Sequence, residues 1–198
     1  MKDKKTLYKL THGMYVCATL GAACFVDAVC QISGGDNPLV SVAVMKKNYT
    51  NEVLHKASRF SLSIFGEDDN PEIIKNFGLN SQRDYDKFAS GLTENVCGVP
   101  VVKGTIGYLI LEIVDMIEND THTLFIGRVI EAVKNKDSKP MTYGYYQEHK
   151  DELLKVQTAN NKTAWVCEIC GYVYYGEELP ADYKCPFCGV EAVNFRKM

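Results

Sequence analysis

The 198 residues contain no uninterrupted run of about 18 apolar residues, the length a helix needs to cross a bilayer. The start, Met1-Lys2-Asp3-Lys4-Lys5, is basic, but Lys9, His12 and Gly13 break up the stretch after it, so no signal peptide is expected. Also missing are a Gly-x-Gly-x-x-Gly after a strand and a Walker-type loop, which disfavours a nucleotide-fold dehydrogenase. Positive charge is not in excess. The formal net charge of −3 gives no general attraction to nucleic acid or to an anionic membrane surface, so neither is expected as a partner. No internal repeat or low-complexity tract is visible. With 46% hydrophobic and 24% charged residues, the chain has the composition of an ordinary soluble protein, long enough for one medium domain plus a small appendage.

Cysteine, by contrast, is plentiful. Four of the eight form two clamps near the C-terminal end, Cys167-Glu-Ile-Cys170-Gly171 and Cys185-Pro-Phe-Cys188-Gly189, with 14 residues between them. This is the pattern of one tetrahedral four-thiolate site made by Cys167, Cys170, Cys185 and Cys188. The two-residue gap lets a tight turn aim both sulfurs at one point. The glycines tolerate positive φ and free backbone N–H groups to face the sulfurs. Ordinary core cysteines or two disulfides are the plainer alternative. Among metals, zinc would make a structural ribbon, and iron in the same cage would be a one-electron carrier. Trp165, Tyr172, Tyr174, Tyr175, Tyr183, Phe187 and Phe195 surround the clamps in a segment too short for a deep core unaided. Residues 164–198 hold five acids (Glu168, Glu177, Glu178, Asp182, Glu191) against three bases (Lys184, Arg196, Lys197), the wrong balance for a phosphate-binding surface. The wording Trp165-Val-Cys-Glu-Ile-Cys-Gly-Tyr-Val-Tyr174, then Cys185-Pro-Phe-Cys-Gly189, resembles the rubredoxin family. The short interval between clamps is similar to the rubredoxin-type tail of rubrerythrins. That resemblance implies iron, although zinc readily fills thiolate sites in recombinant protein.

The other cysteines, Cys17, Cys24, Cys30 and Cys97, follow no framework spacing. They read as thiols in a reducing compartment, the cytoplasm. Along the chain, residues 6–12 suit a short helix, and strands are expected over Met14–Leu20, Phe25–Ile32 and Leu39–Met45, with a loop at 33–38. A helix follows from Asn51 to Ser58, capped by Thr50 or Asn51. Phe60–Phe65 alternates apolar and polar residues like a strand with one buried face. Asp69-Asn70-Pro71 opens a helix of about two turns ending near Gly78, and 79–91 is a polar loop. Thr105–Ile117 and His122–Val133 are extended and joined by Glu118-Asn119-Asp120. Many strands with few short helices argue for a mainly β protein and a β-barrel, with a small C-terminal metal-knuckle domain. Residues 1–149 form the large domain in this reading, 150–163 the linker and 164–198 the small domain.

Three polar clusters stand out in the large domain. Lys46-Lys47-Asn48-Tyr49-Thr50 combines a lysine, an amide and a hydroxyl at a predicted helix start, a phosphate seat if it is more than a helix cap with solvated lysines. Ser81, Arg83, Asp84 and Lys87 share the polar loop, where Arg83 could grip phosphate as a fork. His122 opens a strand; alone, it reads as a sheet-edge histidine.

The order of these clusters carries more than any one of them. Residues 14–20, Val29-Cys30-Gln31-Ile32-Ser33, Pro38–Val44 with Asn48-Tyr49-Thr50, Phe77-Gly78, Arg83-Asp84 to Lys87-Phe88, and His122-Thr-Leu-Phe-Ile-Gly127 resemble the FMN-binding split-barrel flavin reductase family over about 6–148. The resemblance implies a six-stranded antiparallel split barrel, normally a homodimer with FMN near its interface. It places Cys30, Gln31, Ile32 and Ser33 along the flavin, and Lys46, Asn48, Tyr49 and Thr50 at the phosphate. Ser81, Arg83, Asp84 and Lys87 would close over it, with His122 near the flavin or nicotinamide face as the candidate catalytic group.

Both resemblances in one chain are similar to fused proteins called high-molecular-weight rubredoxins. They imply an oxidoreductase that passes electrons from NAD(P)H, directly or through a separate reductase, by way of FMN to a four-cysteine iron centre. The acceptor would be a redox protein such as a flavodiiron oxygen or nitric oxide reductase, or a peroxide-removing enzyme. The alternative is an NAD(P)H:flavin reductase that releases reduced flavin and carries a structural zinc knuckle. A zinc-ribbon binding module on an inert barrel is a third.

Overall fold

The architecture follows from a strand that is buried on both faces. In a computed structural model describing residues 6, 9–154, 164–169, 172–185 and 189–197, strand β5 (Arg59–Ile64) buries Phe60 and Leu62, as alternation predicts, and also Ser61 and Ser63. The expected single buried face is corrected by a second layer. The hairpin of β6 (Thr93–Val96) and β7 (Val99–Val102) covers the serine side, where Ser61 Oγ donates to Pro100 O at 2.5 Å and Val102 N to Ser63 Oγ at 3.0 Å. Two hydroxyls are therefore buried with partners, which removes most of their desolvation cost.

Seven strands form one antiparallel sheet. They are β1 (Tyr15–Thr19), β2 (Ala22–Val26), β3 (Val29–Gln31), β4 (Leu39–Met45), β5, β8 (Gly107–Glu118) and β9 (His122–Lys134), in spatial order β2-β1-β5-β8-β9-β4-β3. The two edge strands, β2 and β3, are consecutive in the chain and separated only by Asp27 and Ala28. A sheet whose opposite edges are joined by so short a corner must curl round on itself, and this yields a mainly β split barrel, as expected, but with seven strands where six were expected. Cys17, Val42, Val44, Phe60, Leu62, Leu111 and Phe125 fill it. Long β8 and β9 supply curvature through register shifts at Ile110/Leu111 and Ile113/Asp115.

Helix α1 (Tyr49–Leu54) packs against β1, β2 and β4. It begins two residues before the expected start, with Asn48 at the N-cap position. Neither Thr50 nor Asn51 caps it, because the Asn51 amide donates instead to Val44 O at 3.0 Å. After α2 (Glu72–Ile74) the chain widens into a π-helical turn at Lys75–Leu79, and a 3-10 turn at Lys87–Ser90 interrupts the expected loop. Residues 9–12 are not helical, and the rest of the helix expected over 6–12 falls partly outside the described residues.

The chain divides into two units, Met1–Tyr146 and Gln147–Met198. Helix α3 (Tyr143–Leu154) spans that division and runs through the first five residues of the expected linker; 155–163 lie outside the described residues. In the second unit β10 (Ala164–Cys167) is the central strand between β11 (Val173–Tyr175) and β12 (Phe195–Lys197). Cys167, Cys185 and Phe195 are its buried centre, wrapped by Trp165, Ile169, Tyr172, Tyr174, Leu179, Tyr183 and Val190. Among the described residues no helix is long and apolar enough to cross a membrane.

Candidate functional site

In the second unit the two clamps are built alike. Cys167 N donates to Tyr172 O and Cys185 N to Val190 O, both at 2.8 Å, so each clamp cysteine closes a loop onto the carbonyl five residues later. Gly189 takes φ +77°, the left-handed conformation that its turn requires, and its N–H returns to Cys185 O at 2.8 Å. Cys167 and Cys185 share one small core at 0% and 1% exposure. Cys170 and Cys188 lie outside the described residues. Matched turns that bring two cysteines of separate clamps into one aromatic core fit a four-thiolate metal site, and soft sulfur donors suit iron or zinc. Burial, then the Tyr172 hydroxyl beside it, pushes the Tyr183 phenol above the usual tyrosine range.

In the first unit the predicted residues fall into three groups. One gathers at the start of α1. Asn48 and Thr50 side chains approach the Cys24 thiol, and the Lys87 ammonium lies near the same thiol. Lys87 is buried and donates to Ala23 O at 2.7 Å and to Phe77 O at 3.0 Å. Arg83 sits over the Tyr49 ring, 5.0 Å from its centre, and pairs with Glu52. Ser81 shapes the loop by accepting from Arg83 N at 3.2 Å, and Asp84 N donates to Ser81 O, leaving the Asp84 side chain exposed. The Asn48 side chain makes no helix-capping bond.

The second group is the exposed edge of β3 and its continuation. Ile32 N and Ser33 N both donate to Leu39 O, Leu39 N returns to Ser33 Oγ at 2.9 Å, and Gln31 Nε2 reaches Ser33 O at 3.1 Å. Cys30 is exposed, and its carbonyl receives Ser41 Oγ at 3.4 Å. Its thiol is close enough to raise the Tyr15 phenol, though burial is the larger cause.

The third group is at the far end of β4. Lys46 does not turn to Asn48 and Thr50; it pairs with Glu118 at 2.8 Å, and His55 Nε2 lies 3.3 Å from the same carboxylate. Lys46 beside it holds the Glu118 carboxyl below the usual range. His122 faces Met45 across the β4–β9 pair, and its Nδ1 is 2.8 Å from Thr121 Oγ1. Glu118 and His55 are the polar partners that sequence reasoning missed. The signal was the turn Glu118-Asn119-Asp120, which returns β9 past the end of β4. An amide, a hydroxyl, a guanidinium and an ammonium near the start of α1 fit a phosphate-bearing flavin as a donor set. The Lys46–Glu118 and Arg83–Glu52 pairs are half exposed and individually weak.

Fold and site together define a flavin-type split barrel followed by a cysteine-clamp domain. The flavin reductase like domain family matches residues 7–154, and the rubrerythrin, rubredoxin-like domain matches 165–196. The chain belongs to the flavin reductase like family and carries a rubredoxin-like domain at its C-terminal end. It is 31% identical to the high molecular weight rubredoxin of Moorella thermoacetica, covering 99% of this chain and 100% of that one. The ferric-chelate reductase (NAD(P)H) of Archaeoglobus fulgidus is 26% identical over 73% of this chain and 88% of its own length. Among solved structures, the FMN-binding protein of Thermus thermophilus with bound p-hydroxybenzaldehyde superposes at TM-score 0.62 with 22% identity, covering 72% of this chain and 87% of that one. The NADH:FAD oxidoreductase of Streptomyces globisporus C-1027 does so at 0.62 with 20% identity, covering 70% and 85%.

Proposed function

We propose that the chain is a cytoplasmic, homodimeric electron adaptor, an NAD(P)H-dependent flavin/rubredoxin oxidoreductase with FMN in the first unit and iron in the second. The observation that carries this reading is the pairing, in one chain, of a flavin reductase like barrel with a clamp domain whose two cysteine turns are matched. FMN accepts two electrons as hydride and yields them singly, whereas a four-thiolate iron site holds one.

The protein's part is binding and electrostatics. Asn48 and Thr50 offer phosphate an amide and a hydroxyl, Arg83 swings from Glu52 to make a bidentate contact, and Lys87 lends positive charge from beneath. Gln31, Ile32 and Ser33 line the flavin along the exposed β3 edge, with Cys30 beside them. His122 orients the nicotinamide or flavin face. Cys167, Cys170, Cys185 and Cys188 hold iron, and recombinant protein can acquire zinc instead. Glu177, Glu178, Asp182 and Glu191 are exposed on the second unit and suit a basic patch on a redox-protein acceptor, such as a flavodiiron protein or a peroxide-removing enzyme. Association with that acceptor should slow as ionic strength rises.

Anaerobic stopped-flow mixing with NADH tests the scheme. Flavin bleaching followed by loss of the ferric-thiolate colour is expected. Iron that stays oxidised while the flavin is fully reduced overturns internal transfer, and a colourless protein that reduces free flavin supports a flavin reductase with a structural zinc knuckle.

A further inference from the structure

One face of α3 grips the first cysteine clamp. Gln147, Lys150, Asp151 and Leu154 repeat at the three- and four-residue spacing that aligns side chains on a helix, and all four belong to the second unit. Gln147 Nε2 donates to Ile169 O and Lys150 Nζ to Glu168 O, each at 2.9 Å. Asp151 pairs with Arg196 of β12, and Leu154 is buried. Glu168 and Ile169 are the two residues between Cys167 and Cys170, so the helix holds the backbone of the clamp itself.

A lysine is an expensive way to make such a contact. Lys150 is 8% exposed, and its Nζ reaches Gln147 Oε1 at 3.2 Å as well as Glu168 O. Gln147, one turn earlier, makes the same type of bond without a charge. Burial lowers the Lys150 pKa from its usual value, opposed by Asp151, Cys167 and Glu168, while Arg196 adds to the lowering. A buried ammonium is costly unless something nearby gains from its charge. The group in reach that changes charge during electron transfer is the thiolate site beginning at Cys167.

We propose that Lys150 sets the reduction potential of the metal site: its fixed ammonium on the Cys167 turn favours the more negative, reduced state and raises the potential. This rests on the reading of Cys167, Cys170, Cys185 and Cys188 as iron ligands. One electron enters the site, and no protein bond forms or breaks.

The test is a spectroelectrochemical titration of the iron-loaded full chain, followed by its ferric-thiolate absorption. Lys150→Met should move the midpoint to more negative potential by a tenfold change in the reduced-to-oxidised ratio, about 59 mV for one electron. Lys150→Arg, which keeps the charge, should stay near the parent. Gln147→Ala, which removes the uncharged bond one turn away, should change the ratio less than Lys150→Met does. An unmoved midpoint in Lys150→Met, with the ferric-thiolate absorption intact, overturns the inference and leaves the iron site standing. Equal shifts in Lys150→Met and either of the other two variants also overturn it, because packing and not charge would then set the potential. A parent chain that never develops ferric-thiolate absorption overturns the iron reading and this inference with it.

Discussion

Lys87 shows how one side chain links site and stability. At 3% exposure its ammonium donates to the carbonyls of Ala23 and Phe77 and lies beside the Cys24 thiol. Burial lowers its pKa from 10.5 to about 8, and Cys24 opposes the change. Below that value lysine is protonated in both folded and unfolded chains. Between about 8 and 10.5 the unfolded chain keeps a proton that the folded one has released, so the contribution of Lys87 to stability rises with pH across that window. Urea melts of the parent and of Lys87→Met, at pH 8 and pH 10, should show the difference widening in the parent's favour; a constant difference rules out this linkage. Two glycines give opposite expectations. A Cβ at Gly107 would meet the backbone oxygen of Val133, which cannot yield as a side-chain tip does, so Gly107→Ala should cost about 1–3 kcal/mol and lower the melting temperature. At Gly144, within α3, the nearest atom is Thr142 Oγ1 at 3.8 Å, so Gly144→Ala should gain about 0.4–1 kcal/mol in the same assay.

Among the elements, legibility tracked how local the causes were. Leu39–Met45 is β4 as read, because β-branched residues and partial alternation suffice to fix a strand. The start of α1 was misread because its cap was assigned by residue type alone, while a tertiary bond to Val44 O holds Asn51. The β6–β7 hairpin was missed for a related reason. Its turn places Cys97 at φ +49° before Gly98 at φ +85°, where the recognisable residue would have been Asn or Asp. Helix α3 was hidden by its polarity. Its face at Gln147, Lys150, Asp151 and Leu154 binds backbone and an arginine, so it lacks the apolar stripe by which helices are read. In the site, the shared core of Cys167 and Cys185 was legible from the clamp spacing, whereas the meeting of Asn48, Thr50 and Lys87 around Cys24 was not, because Cys24 read as a thiol without framework spacing. The diversion of Lys46 to Glu118 was not, because it depends on where the β8–β9 turn ends relative to β4. Gly144→Ala therefore also tests whether the latter part of α3 holds the clamp. Amide exchange at Cys167 and Cys185, whose N–H groups close the clamp turns onto Tyr172 O and Val190 O, should stay unchanged or slow in that variant, and faster exchange would count against a helical brace.

At the scale of the whole molecule, the two units differ in what stabilises them. The first fills a seven-stranded barrel with a continuous set of buried apolar residues and needs no metal to do so. Among the described residues the second has only Cys167, Cys185 and Phe195 at the centre of its cluster, two of them proposed metal ligands, inside a ring of partly buried aromatics. A core of that size gives little net stability unless a metal adds its binding free energy to folding. The sequence contains a single tryptophan, Trp165, and it lies in the second unit, its indole N–H bonded to Gly176 O at 3.2 Å and Lys197 5.6 Å from its ring centre. Tryptophan fluorescence therefore reports on that unit alone, while far-UV circular dichroism is dominated by the barrel. Removing metal with a chelator, or making Cys185→Ser, should shift the fluorescence-detected melt down by about 10 °C or more, on the order of 2–3 kcal/mol for so small a unit, and leave the dichroism melt in place. If both probes fell together, the barrel would depend on the clamp domain for its fold; if neither moved, the cysteines would not be holding the unit through a metal.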